Sequence, residues 1–158
     1  MSSAANIEFQ CLSFEQLSNQ QLYDLLKLRQ DVFIVEQECI YADLDGEDIN
    51  HLHLLMIIDG VVAGYLRIIP AEFHSSGCVA IGRVVISMPF RRQGLALKIM
   101  QWALDYCEEN FAGQLIYLSA QEYLIDFYKS LGFTVVSEIY LEDGLPHLGM
   151  KKLPRIIP

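Results

Sequence analysis

The chain has 158 residues, of which 53% are hydrophobic and 20% are charged, and its formal net charge is −9 at pH 7. This size and composition predict one globular domain spanning residues 1–158, and they exclude an intrinsically disordered chain. The excess of acidic residues argues against a nucleic-acid-binding surface, and no apolar run is long enough to cross a membrane.

The cysteine pattern and the first residues predict a reduced, cytoplasmic protein. The four cysteines are widely spaced and contain no C-x-x-C pair, which argues against a zinc knuckle or a disulfide framework. The first ten residues, MSSAANIEFQ, lack the basic start and the apolar block of a secretory signal. We therefore expect free thiols and a cytoplasmic location.

Acidic side chains are concentrated in the first third of the chain. Residues 1–50 contain ten carboxylates but only two basic residues, Lys27 and Arg29, whereas the rest of the chain is nearly balanced. The acidity peaks between Glu36 and Asp48. A run of this kind is usually a solvated loop, but a negative rim would also steer a cationic amine toward a site. The sequence leaves both interpretations open.

The first half of the chain predicts a strand, a helix and a β-hairpin. Leucines and valines repeat along one side of the helix, and Ser18 or Asn19 caps its start. Asp59-Gly60 is the strongest hairpin signal in the sequence. The predicted elements are a strand over 7–12, a helix over about 20–35, an acidic loop or short helix over 38–50, and strands over 51–58 and 61–69.

The second half predicts strands alternating with helices, so the fold class is α/β with a mixed sheet. The element order is β-α-β-β-β-α-β-α-β-β, and neither a Rossmann glycine pattern nor a P-loop is present. Gly132 ends the last helix, and Asp143-Gly144 joins the last two strands. The predicted elements are a strand ending before Pro89, a helix after Gly94, a strand over 115–119, a helix over 122–131, and strands over 133–141 and 147–153.

The turn before Gly94 has the composition of an anion site. Arg91 and Arg92 bring positive charge, Gly94 has no side chain, and Ala96 is nearly as small. A helix that begins here directs unpaired backbone N–H groups and the positive end of its dipole toward the turn. The alternative is a plain strand–turn–helix connection with solvated arginines.

Two motifs identify the chain as a member of a known superfamily. Arg91-x-x-Gly94-x-Ala96 after an apolar strand resembles the acetyl-CoA motif [RQ]-x-x-G-x-[GA] of the GCN5-related N-acetyltransferases (GNAT). Residues 125–133, IDFYKSLGF, are similar to the FYxxLGF segment of that superfamily, and the 34-residue spacing from Gly94 to Tyr128 suits the elements between them.

A narrower resemblance is to the ElaA-like branch. It rests on residues 29–37 (RQDVFIVEQ), on Asp45-Gly46-x-Asp48, and on residues 142–147 (EDGLPH). Acyl-homoserine-lactone synthases share an R-x-x-VF opening, but they are longer and remain a remote alternative.

The resemblance implies a fold, a reaction and a set of coenzyme contacts. It implies a mostly antiparallel mixed sheet flanked by helices, with an acetyl-CoA cleft between the fourth and fifth strands. It implies direct acetyl transfer from acetyl-CoA to a primary amine of a small molecule or peptide in a ternary complex. The residues it places at the coenzyme are Val84, Val85, Ile86, Arg91, Arg92, Gln93, Gly94, Leu95, Ala96, Leu97 and Gln121.

The implied chemistry assigns two further roles. A backbone N–H of Val85 or Ile86 faces the thioester carbonyl as an oxyanion donor. Tyr128 protonates the departing thiolate, although a tyrosine beside Phe127 could also be an ordinary core residue. Gln121 replaces the asparagine that many members have, which makes its contact with the pantetheine less certain.

The acceptor side is less defined, because residues 80–83 (AIGR) offer no carboxylate as a general base. The candidate bases are Glu36, Asp45, Glu47, His51, His53 and His147, or a chain of water molecules. The residues we assign to acceptor binding are Arg29, Glu36, Asp45, His51, Arg83 and His147.

Several of these candidates have structural alternatives. For Arg29 we favour an ion pair with Asp31 or Glu36, and for Arg83 a buried ion pair. His51 and His53 could form a metal site with a nearby aspartate, but no third histidine or cysteine has suitable spacing, so we predict none.

Two broader questions stay open at the sequence level. A non-catalytic acyl-CoA-binding sensor is the alternative function. The sequence does not identify the acceptor or the oligomeric state, although related folds often form dimers through edge strands.

Overall fold

One mixed sheet with helices on both faces forms the protein. The computed structural model describes residues 5–155, so residues 1–4 and 156–158 of the predicted domain lie outside it. The strands are β1 (Ile7–Ser13), β2 (Leu52–Ile58), β3 (Val61–Ile69), β4 (Val79–Ile86), β5 (Ile116–Gln121), β6 (Thr134–Val135), β7 (Tyr140–Glu142) and β8 (Leu145–Lys152). The helices are α1 (Asn19–Arg29), α2 (Leu95–Asn110) and α3 (Ile125–Ser130).

The strand order is β1-β2-β3-β4-β5-β8-β6, and β7 also pairs with β8. Every pair is antiparallel except β4 with β5, whose chains run in the same direction. This arrangement confirms the predicted mixed, mostly antiparallel sheet.

Two apolar clusters cover the two faces of the sheet. Alternate residues of β2 point to opposite faces, so Leu54 packs in the cluster of α2 and α3 whereas Leu55 packs in the cluster of α1. Both side chains are fully buried. The apolar run of β2 therefore shows no polar alternation, which is typical of a strand covered on both faces.

The start of α1 and the two hairpin turns follow the local sequence. Ser18, not Asn19, is the N-cap: its hydroxyl accepts from the backbone N–H of Gln21, whose side chain accepts from the backbone N–H of Ser18. Asp59-Gly60 and Asp143-Gly144 both have positive φ values, as a tight hairpin turn requires.

Two predicted elements differ from the structure. The helix predicted over 20–35 is α-helical only to Arg29 and continues as a π-helix from Gln30 to Glu36. The single strand predicted over 133–141 is wrong, because it divides into β6 and β7. Between them the hydroxyl of Ser137 accepts the backbone N–H of Gly149 at 2.8 Å, and this side-chain bond interrupts the ladder.

Two further observations concern the predicted class of protein. All four cysteines are free thiols. Among the helices of residues 5–155, none has the length and apolar character that a membrane span requires.

Candidate active site

A cleft opens where β4 and β5 separate. The two strands pair only at Val79 with Ile116 and at Ala80 with Tyr117. A register shift between β3 and β4 places Arg83 and Val84 opposite a single residue of β3, and Arg83 has φ 55°. Such a bulge bends its strand, so the rest of β4 leaves its partner and its free edge lines the cleft.

Two adjacent cavities make up this cleft. The inner cavity, of about 120 Å³, lies between β4, β5 and the β7–β8 turn. The outer cavity, of about 400 Å³, extends along β4 toward Arg91. They share a wall made by Phe33, Gln37, Val84, Gln121 and Leu124.

The outer cavity ends at Arg91, where the Gly94 turn (residues 91–97) begins. Gly94 is the N-cap of α2 in the left-handed conformation, with φ 72°, and Arg92 also has a positive φ of 63°. From Arg92 to Leu97, no backbone N–H donates to a backbone carbonyl of the described chain. A Cβ atom built on Gly94 would have no neighbour within 4 Å. The turn is thus an open group of unpaired donors, suited to an anion.

Arg91 joins the Gly94 turn to the opposite side of the cleft. Its Nε donates to the carbonyl of Ile86 at 3.0 Å, and its two terminal nitrogens contact Glu36 at 2.5 and 2.7 Å. The guanidinium lowers the pKa of the Glu36 carboxyl. Both predicted site residues therefore lie at the outer cavity, but they bind each other.

Tyr128 lies on α3 and lines the inner cavity. Its ring packs edge-on against Phe127 and Phe133. Burial raises the pKa of the Tyr128 hydroxyl to about 12, and no hydrogen bond to it forms within residues 5–155. The hydroxyl thus keeps its proton at neutral pH and is free to donate it into the cavity.

Arg29 and Arg83 belong to a group of ion pairs that is buried at Arg29 and Asp43 and partly exposed at Asp45 and Arg83. It is here called the arginine–aspartate network (Arg29, Arg67, Arg83, Asp43, Asp45 and Asp48). Arg29 has no exposed surface and contacts Asp43 at 2.9 Å and Asp48 at 2.8 Å. The predicted partners Asp31 and Glu36 are wrong: Asp31 pairs with Lys27, and Glu36 with Arg91. Arg29 lines neither cavity.

The other two arginines complete the network. Arg67 contacts Asp45 at 2.5 Å and Asp48 at 2.9 Å, and Arg83 contacts Asp43 at 2.8 Å. These cations hold the pKa of the Asp45 and Asp48 carboxyls below their usual range, although burial alone would raise it. Arg83, whose side chain is 23% exposed, pairs with the buried Asp43 and also lines the inner cavity.

These pairs neutralise most of the acidic stretch. Between Glu36 and Asp48, only Glu38 and Glu47 have no ion pair within the described chain. A strongly negative rim is therefore absent from this part of the structure.

His51 and His53 lie in the buried region behind the network and line neither cavity. His53 contacts the Tyr65 hydroxyl at 2.6 Å and the carbonyl of Asp48 at 2.8 Å. His51 is 3% exposed, and neither of its ring nitrogens has a partner among the described residues. Burial, assisted by the charge of Arg67, lowers the pKa of His51 to about 4. No three potential metal ligands gather anywhere in residues 5–155.

The comparisons agree with this geometry. The family model described as "Acetyltransferase (GNAT) domain" matches residues 14–154. ElaA of Escherichia coli is 40% identical over 148 residues, which cover 92% of this chain and 96% of ElaA. The chain belongs to the GNAT acetyltransferase family. Within the family it is ElaA-like, as the narrower motifs predict.

Solved structures of this GNAT protein's relatives confirm the fold. An acyl-CoA N-acyltransferase from Pseudomonas aeruginosa is 41% identical with a TM-score of 0.88, and covers 93% of this chain and 99% of its own. The crystal structure of E. coli ElaA is 39% identical with a TM-score of 0.85 and the same coverage. An aminoglycoside 6'-N-acetyltransferase complexed with coenzyme A, at 14% identity and a TM-score of 0.70, shares the fold.

Sequence reasoning missed two acidic residues of the GNAT site, Glu142 and Asp143, which both line the inner cavity. Glu142 lies on β7 and lines the inner cavity, where its Oε2 is 3.2 Å from Nε2 of His147. Both residues belong to the EDGLPH segment, and the Asp143-Gly144 turn brings them together. A carboxylate and a histidine flanking a two-residue turn signal could have identified the pair. Cys39, Tyr41 and Ser119 also line this cavity and carried no such signal.

Proposed function

We propose that this GNAT protein is an acetyl-CoA-dependent N-acetyltransferase that acts on a primary amine of a small molecule or peptide. One observation carries the proposal: a single cleft leads from the unpaired donors of the Gly94 turn to the free hydroxyl of Tyr128. An acyl thioester with a diphosphate at its far end requires both features, at opposite ends of one channel.

The free edge of β4 would align the coenzyme. Residues 81–86 have no strand partner on the side of β5, so their backbone groups are available to an extended pantetheine arm, much as a sheet edge accepts an added strand. The diphosphate would bind the amides of Arg92 through Leu97, whose donors are unpaired. Gln121 lies in the wall shared by both cavities, where its amide can reach the arm.

The reaction requires charge stabilisation and proton donation at the thioester. A backbone N–H of Val85 or Ile86 would donate to the carbonyl oxygen as negative charge develops there. Tyr128 would donate its proton to the departing sulfur. The raised pKa of Tyr128 suits a group that must arrive protonated.

The size of the inner cavity supports acetyl as the transferred group. Its volume of about 120 Å³ is well below the volume of about 400 Å³ of the outer cavity. The apolar side chains of Ile81 and Leu118 are part of its lining. A short acyl chain fits this space, whereas a long one would need to displace side chains.

Release of free thiol from acetyl-CoA tests the proposal. We would screen polyamines, amino acids, aminoglycosides and peptides as acceptors, and measure coenzyme binding separately by titration calorimetry. Tyr128→Phe should lower kcat at least about a hundredfold and leave coenzyme affinity unchanged. Tyr23→Phe makes the same change on the exposed face of α1 and should have no effect.

Two results would contradict the proposal. Absence of coenzyme binding would remove the basis for any acyl transfer. Binding without turnover, with no difference between Tyr128→Phe and wild type, would instead indicate a non-catalytic acyl-CoA sensor.

A further inference from the structure

We propose that His147 is the proton acceptor of the reaction and that Glu142 is its positioning residue. The proposal rests on the proposed function, since it concerns how the same site deprotonates its acceptor. It also defines the acceptor class: amines that arrive as ammonium ions, such as alkyl amines, and need a base before they can attack.

The pair lies where an acceptor must approach. His147 is opposite Gln121 in the β5–β8 ladder, and it lines the inner cavity together with Tyr128. Coenzyme entering through the outer cavity would reach Tyr128 from the other end of the cleft. The proposed base and the proposed acid thus line one small cavity.

The contacts of His147 select one tautomer. Its Nδ1 is 2.8 Å from the carbonyl of Leu145, and because a carbonyl only accepts, Nδ1 carries a hydrogen. In the neutral ring Nε2 therefore has the free lone pair. Nε2 is the nitrogen beside Glu142, so it can receive a proton and hold it next to a carboxylate.

Glu142 and Tyr140 hold the ring in place. The Glu142 carboxylate, 3.2 Å from Nε2, stabilises the imidazolium that forms, and Tyr140 stacks on the ring with 6.3 Å between centroids. Ser119 contacts both the Tyr140 hydroxyl and, at 3.5 Å, the Glu142 carboxylate. In hydrolase triads the carboxylate binds the ring nitrogen opposite the one that takes the proton. Here the Leu145 carbonyl holds that opposite nitrogen, and Glu142 stabilises the imidazolium by its charge beside Nε2.

The other candidate bases are engaged or remote. Glu36 binds Arg91, and Asp45 binds Arg67. His51 and His53 line neither cavity, and both nitrogens of His53 form hydrogen bonds within the buried region. Of the predicted candidates, His147 alone lines the inner cavity.

The proton balance closes with these two residues. The ammonium gives one proton to Nε2 of His147, and its lone pair forms the N–C bond to the thioester carbon. The C–S bond then breaks, and the sulfur takes the proton of Tyr128. The amide nitrogen then loses a second proton to solvent, from which Tyr128 regains its own, and the third N–H hydrogen stays on the amide product. His147 releases its proton through Glu142, whose side chain is 50% exposed.

Two nucleophiles of different basicity separate a catalytic from a structural role. We would measure thiol release from saturating acetyl-CoA at neutral pH with butylamine, which is protonated, and with hydroxylamine, which is largely neutral. The variants are His147→Asn, whose amide can still donate to Leu145, Glu142→Gln, and the control Glu138→Gln on the exposed β6–β7 connection. Thermal melting checks that each variant is folded, and His147→Gln replaces His147→Asn if it is not.

The base role predicts a selective loss. His147→Asn should lower kcat with butylamine about a hundredfold or more, and with hydroxylamine less than about tenfold. Glu142→Gln should lower kcat with butylamine about tenfold at unchanged KM for acetyl-CoA, and Glu138→Gln should match wild type. Equal losses with both nucleophiles, or no loss with either, would overturn the inference. If wild type acylates neither nucleophile, the proposed function itself fails, and this inference fails with it.

Discussion

The arginine–aspartate network and the ion pairs of the cleft use the same chemical groups in different surroundings. At the centre of the network, Arg29 has no exposed side-chain surface and Asp43 only 4%, whereas the outer member Asp45 is 29% exposed. At the cleft, Arg91 and Glu36 are 35% and 29% exposed. Buried charges that lose a partner cannot turn to water, whereas partly exposed ones can exchange partners at little cost. We therefore expect the network to determine stability and the cleft pairs to determine ligand binding.

The network connects three parts of the fold to one loop. Its arginines come from α1, β3 and β4, and its aspartates all lie within residues 43–48. The three arginines balance the charge of the three aspartates. The guanidinium of Arg29 also lies over the Tyr65 ring, 5.8 Å from its centroid. The loop that carries Cys39 and Tyr41 to the inner cavity is thus fixed from behind.

The largest expected effect is loss of stability when the network is broken. Arg29→Met should lower the free energy of unfolding by about 3–5 kcal/mol, because it leaves three aspartates with only two arginines, so that one negative charge of the network is uncompensated. Denaturant unfolding followed by circular dichroism measures this. Lys27→Met removes an exposed pair with Asp31 from the same helix and should leave stability unchanged. Equal losses in the two variants would contradict the contrast between buried and exposed pairs.

A smaller effect on the same side of the molecule is pH dependence. The pKa of His51 is about 4 in the folded protein, against about 6.5 when unfolded. Between these values the unfolded chain binds a proton that the folded protein does not, so stability falls as pH falls from 6.5 to 4. The shift corresponds to a loss of up to about 3 kcal/mol.

One substitution and a lower pH range sharpen this test of stability against pH. In His51→Leu, the pH dependence of stability should lose the part due to His51. It should keep the part due to His53 and His74, whose pKa values are also lowered by burial. Below about pH 4 both proteins should lose stability again, since the depressed pKa values of Asp45 and Asp48 favour folding only while those carboxyls are ionised. If stability falls equally steeply between pH 6.5 and 4 in His51→Leu and in wild type, His51 binds a proton as readily in the folded protein as in the unfolded chain.

Local patterns predicted most of the fold, because each depends on neighbouring residues. Asp59-Gly60 predicted a hairpin, Ser18 a helix start, and Gly94 the turn before the second helix. The break at Ser137 could not be predicted, because it depends on Gly149, twelve residues away on another strand. The sequence around a serine does not indicate from which backbone N–H its hydroxyl will accept a hydrogen bond.

The candidate site also has a part that local sequence predicts and a part that it does not. The proposed coenzyme side follows from a contiguous motif around Gly94, whereas the proposed acceptor side is assembled from separate segments. Arg29 was expected to pair with its helical neighbours Asp31 or Glu36, yet its partners are 14 and 19 residues away. Charge spacing along a helix finds only the pairs that the helix itself creates, so a loop that folds back over it escapes detection.

The smallest expected effect is at the mouth of the cleft. Glu36→Gln should change stability by less than about 1 kcal/mol, because the pair with Arg91 is partly exposed. It should tighten coenzyme binding about fivefold, since Arg91 would then face the diphosphate with its charge uncompensated, an interaction on the order of 1 kcal/mol. Titration calorimetry at low and high salt measures this gain, which should shrink at 1 M salt, where the screening length is about 3 Å.

Glu38→Gln is the matched control, because Glu38 carries the same charge two residues away and forms no ion pair in the described part of the chain. If the two variants bind the coenzyme equally, net charge alone explains the gain and the pair has no specific role. Arg91→Gln should weaken binding, and adding Glu36→Gln to it should then have little further effect. Such non-additivity is expected only if the carboxylate acts through the guanidinium that it contacts.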